Sequence, residues 1–297
     1  MASVERGAAR GDAWGAWATA RLRRRARLRG VGLHLLVGGV GVLFAFPFVW
    51  MIMISTREDA EIFRFPPALL PHTWALYNYV DAFNFIPYLL YTYNTGIIAG
   101  LNVLGTLISC ALSAYAFARV RWHGRSAVFL LVLSTMLLPY PVTLIPLYVI
   151  FKNLGWVGTF APLIVPAFFG NAFYIFLLRQ FFLTIPQELD QAARIDGASH
   201  WAIFSRVILP LARPALAVVA LLTFLGSWTD FFGPLIYLSD SSLYTLSLGL
   251  QQYQSLHAIR WGQLMAASVM FMLPVILLFL AAQKTFIQGI TMTGLKG

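Results

Sequence analysis

The sequence predicts an all-α integral membrane protein with six transmembrane helices, and three observations carry that expectation. Of its 297 residues 59% are hydrophobic, 15% aromatic and only 11% charged, whereas soluble domains hold about a quarter of their residues as charges. Mean hydropathy is +0.74. Six apolar runs, about 32–54, 88–117, 127–150, 160–182, 213–238 and 262–287, are each long enough for a crossing, which takes roughly 20 helical residues through about 30 Å of hydrocarbon. Of the 21 Lys and Arg, only Arg57, Arg64, Lys152 and Arg260 fall on the side opposite the termini. That asymmetry follows the positive-inside rule and puts both termini in the cytoplasm. Within lipid the backbone must satisfy its own hydrogen bonds, which favours helices over an open sheet.

Residues 1–29 form a basic cytoplasmic tail whose stretch DAWGAWATARLRRRARLRG sets Trp14, Trp17 and Leu22 among arginines. It suits either an interfacial amphipathic helix or a basic tail. The apolar run behind it is too long for a cleaved signal peptide, and no small-residue cleavage site precedes the chain's main body. The net charge of +10 is explained by arginines flanking the spans and facing anionic lipid, so nucleic acid is not an expected partner. The single cysteine, Cys110, lies within the second run, so no intrachain disulfide forms.

Between the fourth and fifth runs the stretch 183–212 breaks the apolar pattern. Thr184 and Gln187 have capping-box spacing, and Pro186 is tolerated in a first turn. Glu188 and Asp190 sit near the positive end of the helix dipole and Arg194 near its negative end. Gly197 suits the left-handed residue that ends a helix. Ser199 then caps a second helix, on which Trp201, Phe204, Ile208 and Leu211 recur on one face until Pro210 interrupts it. The first helix, about ten residues long, is below the ~12–15 at which isolated helices become marginal in water, so it needs tertiary or partner contacts. Either it packs under its own bundle, or it is a docking element that Ala192 and Ala193 keep low enough for close approach.

Several chemistries are missing from the sequence. It has no phosphate-binding G-x-x-x-x-G-K-[ST], no H-x-x-x-H and no G-x-S-x-G. His34, His72, His123, His200 and His257 are scattered, so neither a metal nor a catalytic residue is expected. Asp230 is the one clear ionisable residue within a span, too little for a stand-alone secondary carrier. Glu58, Asp59 and Glu61 are the only dense external acids, too few for a membrane-embedded transferase.

The loop resembles the EAA loop of permease subunits of bacterial ABC importers. Gln191-Ala192-Ala193, then Gly197, then Val207-Ile208-Leu209-Pro210 match that pattern in spacing, with Gln191 where the family has Glu and Val207 in place of Ile. The segments NTGIIAG…SAYAFARVRW, MLLPYPVTLIPLYVI, FLGSWTDFFGPLIYL and the tail QKTFIQGITMTGLKG are similar to the carbohydrate-uptake branch, in particular its maltose-type second permease. The likeness covers about residues 30–297, which it identifies as a type I importer transmembrane domain in the bacterial inner membrane.

The resemblance implies a heterodimeric partner permease, a cytoplasmic ATP-binding subunit dimer that holds the ATP and Mg, and an extracytoplasmic solute-binding protein that delivers a sugar. This chain itself binds no cofactor. Glu188, Asp190, Gln191, Ala192, Ala193, Asp196 and Gly197 would dock on the ATPase, with Glu188 or Asp190 supplying the carboxylate that Gln191 lacks. Leu209 and Pro210 would pass the motion to the fifth span. For the substrate path, Trp228 and Asp230 offer an aromatic face and an acceptor suited to a sugar, and Asn94 is a further candidate. Structural roles stay open for all three, Asp230 as the cap of a broken helix among them. Gly289, Gly294, Lys296 and Gly297 end the chain in a flexible tail, either frayed or in reach of the ATPase. Glycerol phosphate or a polyol is the alternative solute class.

Overall fold

A computed structural model describes residues 30–65, 71–254 and 259–294, with side chains to residue 283. The basic tail 1–29 and the last three residues, including Lys296 and Gly297, lie outside the described residues. Two compact units divide the chain, residues 1–54 and 55–297. In the first, helix α1 (Gly30–Ser55) is the predicted first span, and within it Phe46 and Trp50 stack with centroids 5.9 Å apart.

The second unit is built around α4 (Tyr88–Arg119). Its 32 residues reach about 48 Å, farther than the roughly 30 Å of hydrocarbon. Ahead of it lie the short helices α2 (Asp59–Ile62) and α3 (Tyr77–Phe85). Asn78 of α3 ties that linker down by donating to the carbonyls of Ser55 and Arg57 at 3.1 and 2.7 Å. Along one face of α4, Ala111, Ala114 and Ala118 are buried, and small residues there let neighbouring helices approach closely.

The third predicted span is not straight. Helix α5 (Arg125–Ser134) continues as a 3-10 turn to Leu137 and gives way to α6 (Tyr140–Asn153), with a bend of 99° between the halves. Pro139 is the reason, because the residue before a proline is pushed out of the helical region, and Leu138 is extended with ψ 114°. The fourth span begins with α7 (Ala161–Ile164) and a 3-10 turn over Val165–Phe169. It passes through Gly170 at φ +90° and resumes as α8 (Ala172–Thr184), capped by the Asn171 side chain, which accepts from the amides of Phe173 and Tyr174.

Helices α9 (Gln187–Ile195), α10 (His200–Ile203) and α11 (Leu209–Leu211), with a π turn over Phe204–Ile208, form the polar loop. A 77° bend then leads into the fifth span. The run expected to be continuous over 213–238 is broken: α12 (Arg213–Trp228) stops, and α13 (Phe232–Tyr237) comes after the break. The short helix α14 (Leu246–Leu250) precedes α15 (Trp261–Gly294). That last helix runs past the predicted end of the sixth span, so Gly289 and Gly294 are helical rather than part of an irregular tail. Among the described residues four helical stretches are long and apolar enough to cross a membrane, or up to six when each bent pair counts as one span. Among the described residues the only strand-like pairing is an isolated bridge between Gln254 and Ile259.

Two buried clusters lie along the second unit. One joins Ala114, Tyr115 and Ala118 of α4 to Leu178 and Phe182 of α8 and to Ile203, Phe204 and Ile208 of the polar loop. The other joins Tyr88 and Tyr91 to Trp228, Leu246, Tyr253 and Ala267.

Candidate functional site

The polar loop assembles from local signals. Pro186, extended at ψ 135°, stands before α9, and no side chain caps that helix. The expected capping box is therefore absent: the Thr184 hydroxyl donates backwards to the Phe181 carbonyl at 2.8 Å. At the other end Gly197 takes φ +80°. The Ala198 amide reaches the Ala193 carbonyl at 2.9 Å, and the Gly197 amide reaches Arg194 at 3.0 Å. This bond pair is the Schellman closure, and it depends on the left-handed residue between. The Ser199 hydroxyl then accepts from the Ala202 amide at 3.2 Å, capping the second helix as expected.

The face of that second helix differs from the expected one. Ile203 and Ile208 are fully buried and Phe204 nearly so, while Trp201 is 66% exposed and Leu211 47%. The π turn over Phe204–Ile208 adds a residue to the turn and rotates the side chains beyond it, which a constant 3.6-residue period cannot anticipate. It also relieves the turn ahead of Pro210, whose ring would clash with an ordinary helical carbonyl. Leu209 is half-buried and Pro210 exposed, and Leu209 packs against the cluster beneath the loop. Both sit just before the bend into α12.

Arg119, the last residue of α4, holds α9 to the bundle, and sequence reasoning missed it. Its guanidinium pairs with Asp190 at 3.3 Å, the two side chains being 3% and 11% exposed. It also donates to the carbonyls of Phe182 and Ile185, around the end of α8. One side chain thus joins the ends of two spans to the first turn of α9. Asp190 is consequently turned inward, and the expectation that it faces a partner is corrected. Glu188, Gln191, Ala192, Asp196 and Gly197 are exposed and Ala193 is half-buried. The outer surface also presents apolar side chains, Ile195 at 87% and Leu189 at 42% exposure. Tyr115 braces the second helix, its hydroxyl donating to the His200 carbonyl at 3.2 Å.

The substrate-path residues separate. The buried Asn94 amide donates to the carbonyls of Ser242 and Tyr244 at 2.9 and 3.0 Å, fastening the loop after α13. Trp228 is 4% exposed; its indole N–H donates to the Phe271 carbonyl at 3.1 Å, and its ring stacks on Phe224 and Phe271. Both are packing groups between helices, so neither is placed to meet a ligand. Asp230 stands at the break in the fifth span, where its carboxylate accepts from the Gly233 amide at 3.1 Å. A Cβ on Gly233 would come within 2.5 Å of that carboxylate, so glycine is what allows the cap. Tyr140, at the break in the third span, lies within electrostatic reach of Asp230 and is 50% exposed. Beyond the two breaks α6 and α13 meet, with Tyr148 and Phe151 against Tyr237. Two interrupted spans therefore stand side by side, and non-helical backbone at membrane depth is tolerated where it lines a cavity or is buried in protein.

A helical bundle with adjacent broken spans, carrying a polar helix clamped across its end, is the architecture of a membrane permease. Residues 105–292 match the model of the "binding-protein-dependent transport system inner membrane component" family, and the chain belongs to that family. It is 34% identical to the trehalose/maltose transport system permease protein MalG of Thermococcus litoralis, over 89% of this chain and 96% of that one. It is 32% identical to the sn-glycerol-3-phosphate transport system permease protein UgpE of Salmonella typhi, over 86% and 93%. Among solved structures, a chain of a bacterial ABC transporter that imports the acidic polysaccharide alginate superposes with a TM-score of 0.77 at 25% identity, over 88% of this chain and 97% of that one.

Proposed function

We propose that the chain is one of two permease subunits in an ATP-driven, binding-protein-dependent importer of oligosaccharides. ATP and Mg reside on a separate cytoplasmic ATPase dimer, and an extracytoplasmic binding protein delivers the solute. The observation that carries this reading is the loop: α9 is fixed at its root by Arg119, and the loop's free surface is apolar at Leu189 and Ile195 of α9 and at Trp201 of α10. Apolar side chains at that density on a polar loop suit burial against another protein. Closure of the ATPase dimer displaces α9. The Schellman turn and Leu209-Pro210 carry the displacement to α12, while Arg119 passes it to the ends of α4 and α8. Glu188 supplies the exposed carboxylate that Gln191 does not.

The solute passes the break between Tyr140 and Asp230, where an aromatic edge and an acceptor suit a polyhydroxylated ligand. The sugar class rests on the trehalose/maltose and alginate relatives; the glycerol phosphate relative is the reason to test both solutes.

The test is cysteine cross-linking from Ile195→Cys in inverted membrane vesicles, with uptake measured in intact cells carrying the same variant. Cross-linking to the ATPase subunit that changes with ATP supports the reading; labelling of that cysteine from the outer face instead sinks it. Competition of uptake by oligosaccharide against glycerol phosphate decides the solute class.

A further inference from the structure

Beside the clamp lies a cavity of about 500 Å³, walled by Arg119, Arg121, Arg125, Arg194, His200 and Asp190 among others. Four guanidinium groups against one carboxylate make it strongly cationic. The side chains nearest the clamp are incompletely satisfied: Arg119 Nε and Asp190 Oδ1 are buried with no hydrogen-bond partner among the described residues, in residues only 8% exposed each. A buried donor and a buried acceptor without partners are each costly, so the clamp beside the cavity is not fully satisfied on its own. The pair itself, at 3.3 Å through a single oxygen, is longer than a good charge-assisted bond.

We infer that this cavity binds a phosphate ester that also carries a hydroxyl. The phosphate oxygens match the guanidinium groups of Arg121 and Arg194 in the cavity wall, since arginine forks recognise phosphate geometry. The hydroxyl donates to the Asp190 carboxylate, the acid in the cavity wall, which would repel an anion with no proton to give. The cavity's position also suits a lipid headgroup. It opens where α4 and α8 end, and Arg121 and Arg125 additionally border a shallow depression containing Trp122, a residue type that settles at headgroup level. A phosphatidylglycerol headgroup and free glycerol phosphate share this chemistry. Because the ligand sits against the clamp, its occupancy governs how firmly α9 is held, and this role is independent of which solute is transported.

The experiment uses the assembled transporter in two arms. It is first equilibrated with vesicles of phosphatidylcholine and phosphatidylglycerol at nine to one, and the retained lipid is counted by native mass spectrometry. In nanodiscs of pure phosphatidylcholine, glycerol phosphate is then titrated by calorimetry. The variant Arg121→Gln/Arg194→Gln removes two cavity charges, and Arg213→Gln removes an exposed charge outside the cavity. The expected result is phosphatidylglycerol retention by wild type and Arg213→Gln, weakened on the order of 30-fold in the double variant. Glycerol phosphate binding in the second arm, lost in the double variant, supports the site with a soluble occupant. Failure of both probes to bind wild type overturns the proposal. So does equal loss in Arg213→Gln, which would show interfacial charge rather than a built site.

Discussion

Replacing Arg119 with methionine tests the clamp most directly. The substitution keeps much of the side-chain volume but leaves the Asp190 carboxylate buried without a cation and the carbonyls of Phe182 and Ile185 without their donor. Removing one member of a buried ion pair costs about 3–5 kcal/mol. Here the adjoining cavity admits water to the orphaned carboxylate, which reduces the penalty to about 2–3 kcal/mol. Because the lost contacts lie at the root of α9, the cost falls on local opening of that helix. Opening by that amount raises amide exchange across 187–195 by about 30- to 150-fold. Hydrogen exchange read by mass spectrometry on the assembled transporter measures it, with the opposite end of α15 as an unaffected internal reference. Uptake falls with it, since a helix that opens cannot transmit a push. The double variant Arg119→Met/Asp190→Leu removes both buried charges and recovers part of the protection. Unchanged exchange over 187–195 in the single variant would refute the clamp, as would a double variant worse than the sum of its parts.

Three more perturbations have outcomes set by the same contacts. Gly197→Val forces a β-branched residue to φ +80° at a cost of about 1–2 kcal/mol; it leaves membrane insertion intact and lowers uptake relative to ATP hydrolysed, measured in reconstituted vesicles, whereas Gly197→Asn retains most coupling. Asn94→Ala and Trp228→Phe each lower thermal stability by about 1–3 kcal/mol through unpaired buried carbonyls, with the half-saturation of uptake unchanged; Asp230→Ala shifts that half-saturation. In the loop after α13, the Ser242 amide and hydroxyl hold the Asp240 carboxyl below its ordinary range. A depressed folded value stabilises the folded turn above about pH 4 and loses that effect as pH falls through the lowered value. Protection of the Ser242 amide should thus be flat near neutrality and fall only in strong acid, a profile that Asp240→Asn abolishes.

Legibility in the sequence divides by the distance between partners along the chain. The end of α9 was legible because Arg194, Gly197 and Ser199 bond to residues within five positions, where glycine and serine carry backbone information directly. Arg119 was illegible because its partners lie 63 to 71 residues away, and an arginine after an alanine-rich run looks like one more topological charge. Asn94 and Trp228 misled for the same reason: a polar group in an apolar run suggests a ligand, yet their partners are backbone carbonyls 148 to 150 and 43 residues distant. The broken spans had a visible signal in Leu138-Pro139-Tyr140-Pro141, which apolarity alone masks because prolines scarcely lower a hydropathy sum.

That division bears on how the proposed lever would transmit force. Sites formed by local sequence, such as the Schellman turn and the Ser199 cap, make α9 stiff but leave it unattached. The Arg119 contacts attach it, and they converge on the ends of α4 and α8 rather than on α12 alone. In the proposed importer a push on α9 would act on two spans through Arg119 and on a third through Leu209-Pro210. The Asp230 break lies in α12's own span, while α4 packs on both α8 and α12. If motion travelled only along the covalent chain into α12, Arg119→Met would spare transport while Leu209→Ala abolished it. Shared transmission makes both variants partial and their combination close to complete, and parallel uptake measurements on the three decide between the two routes.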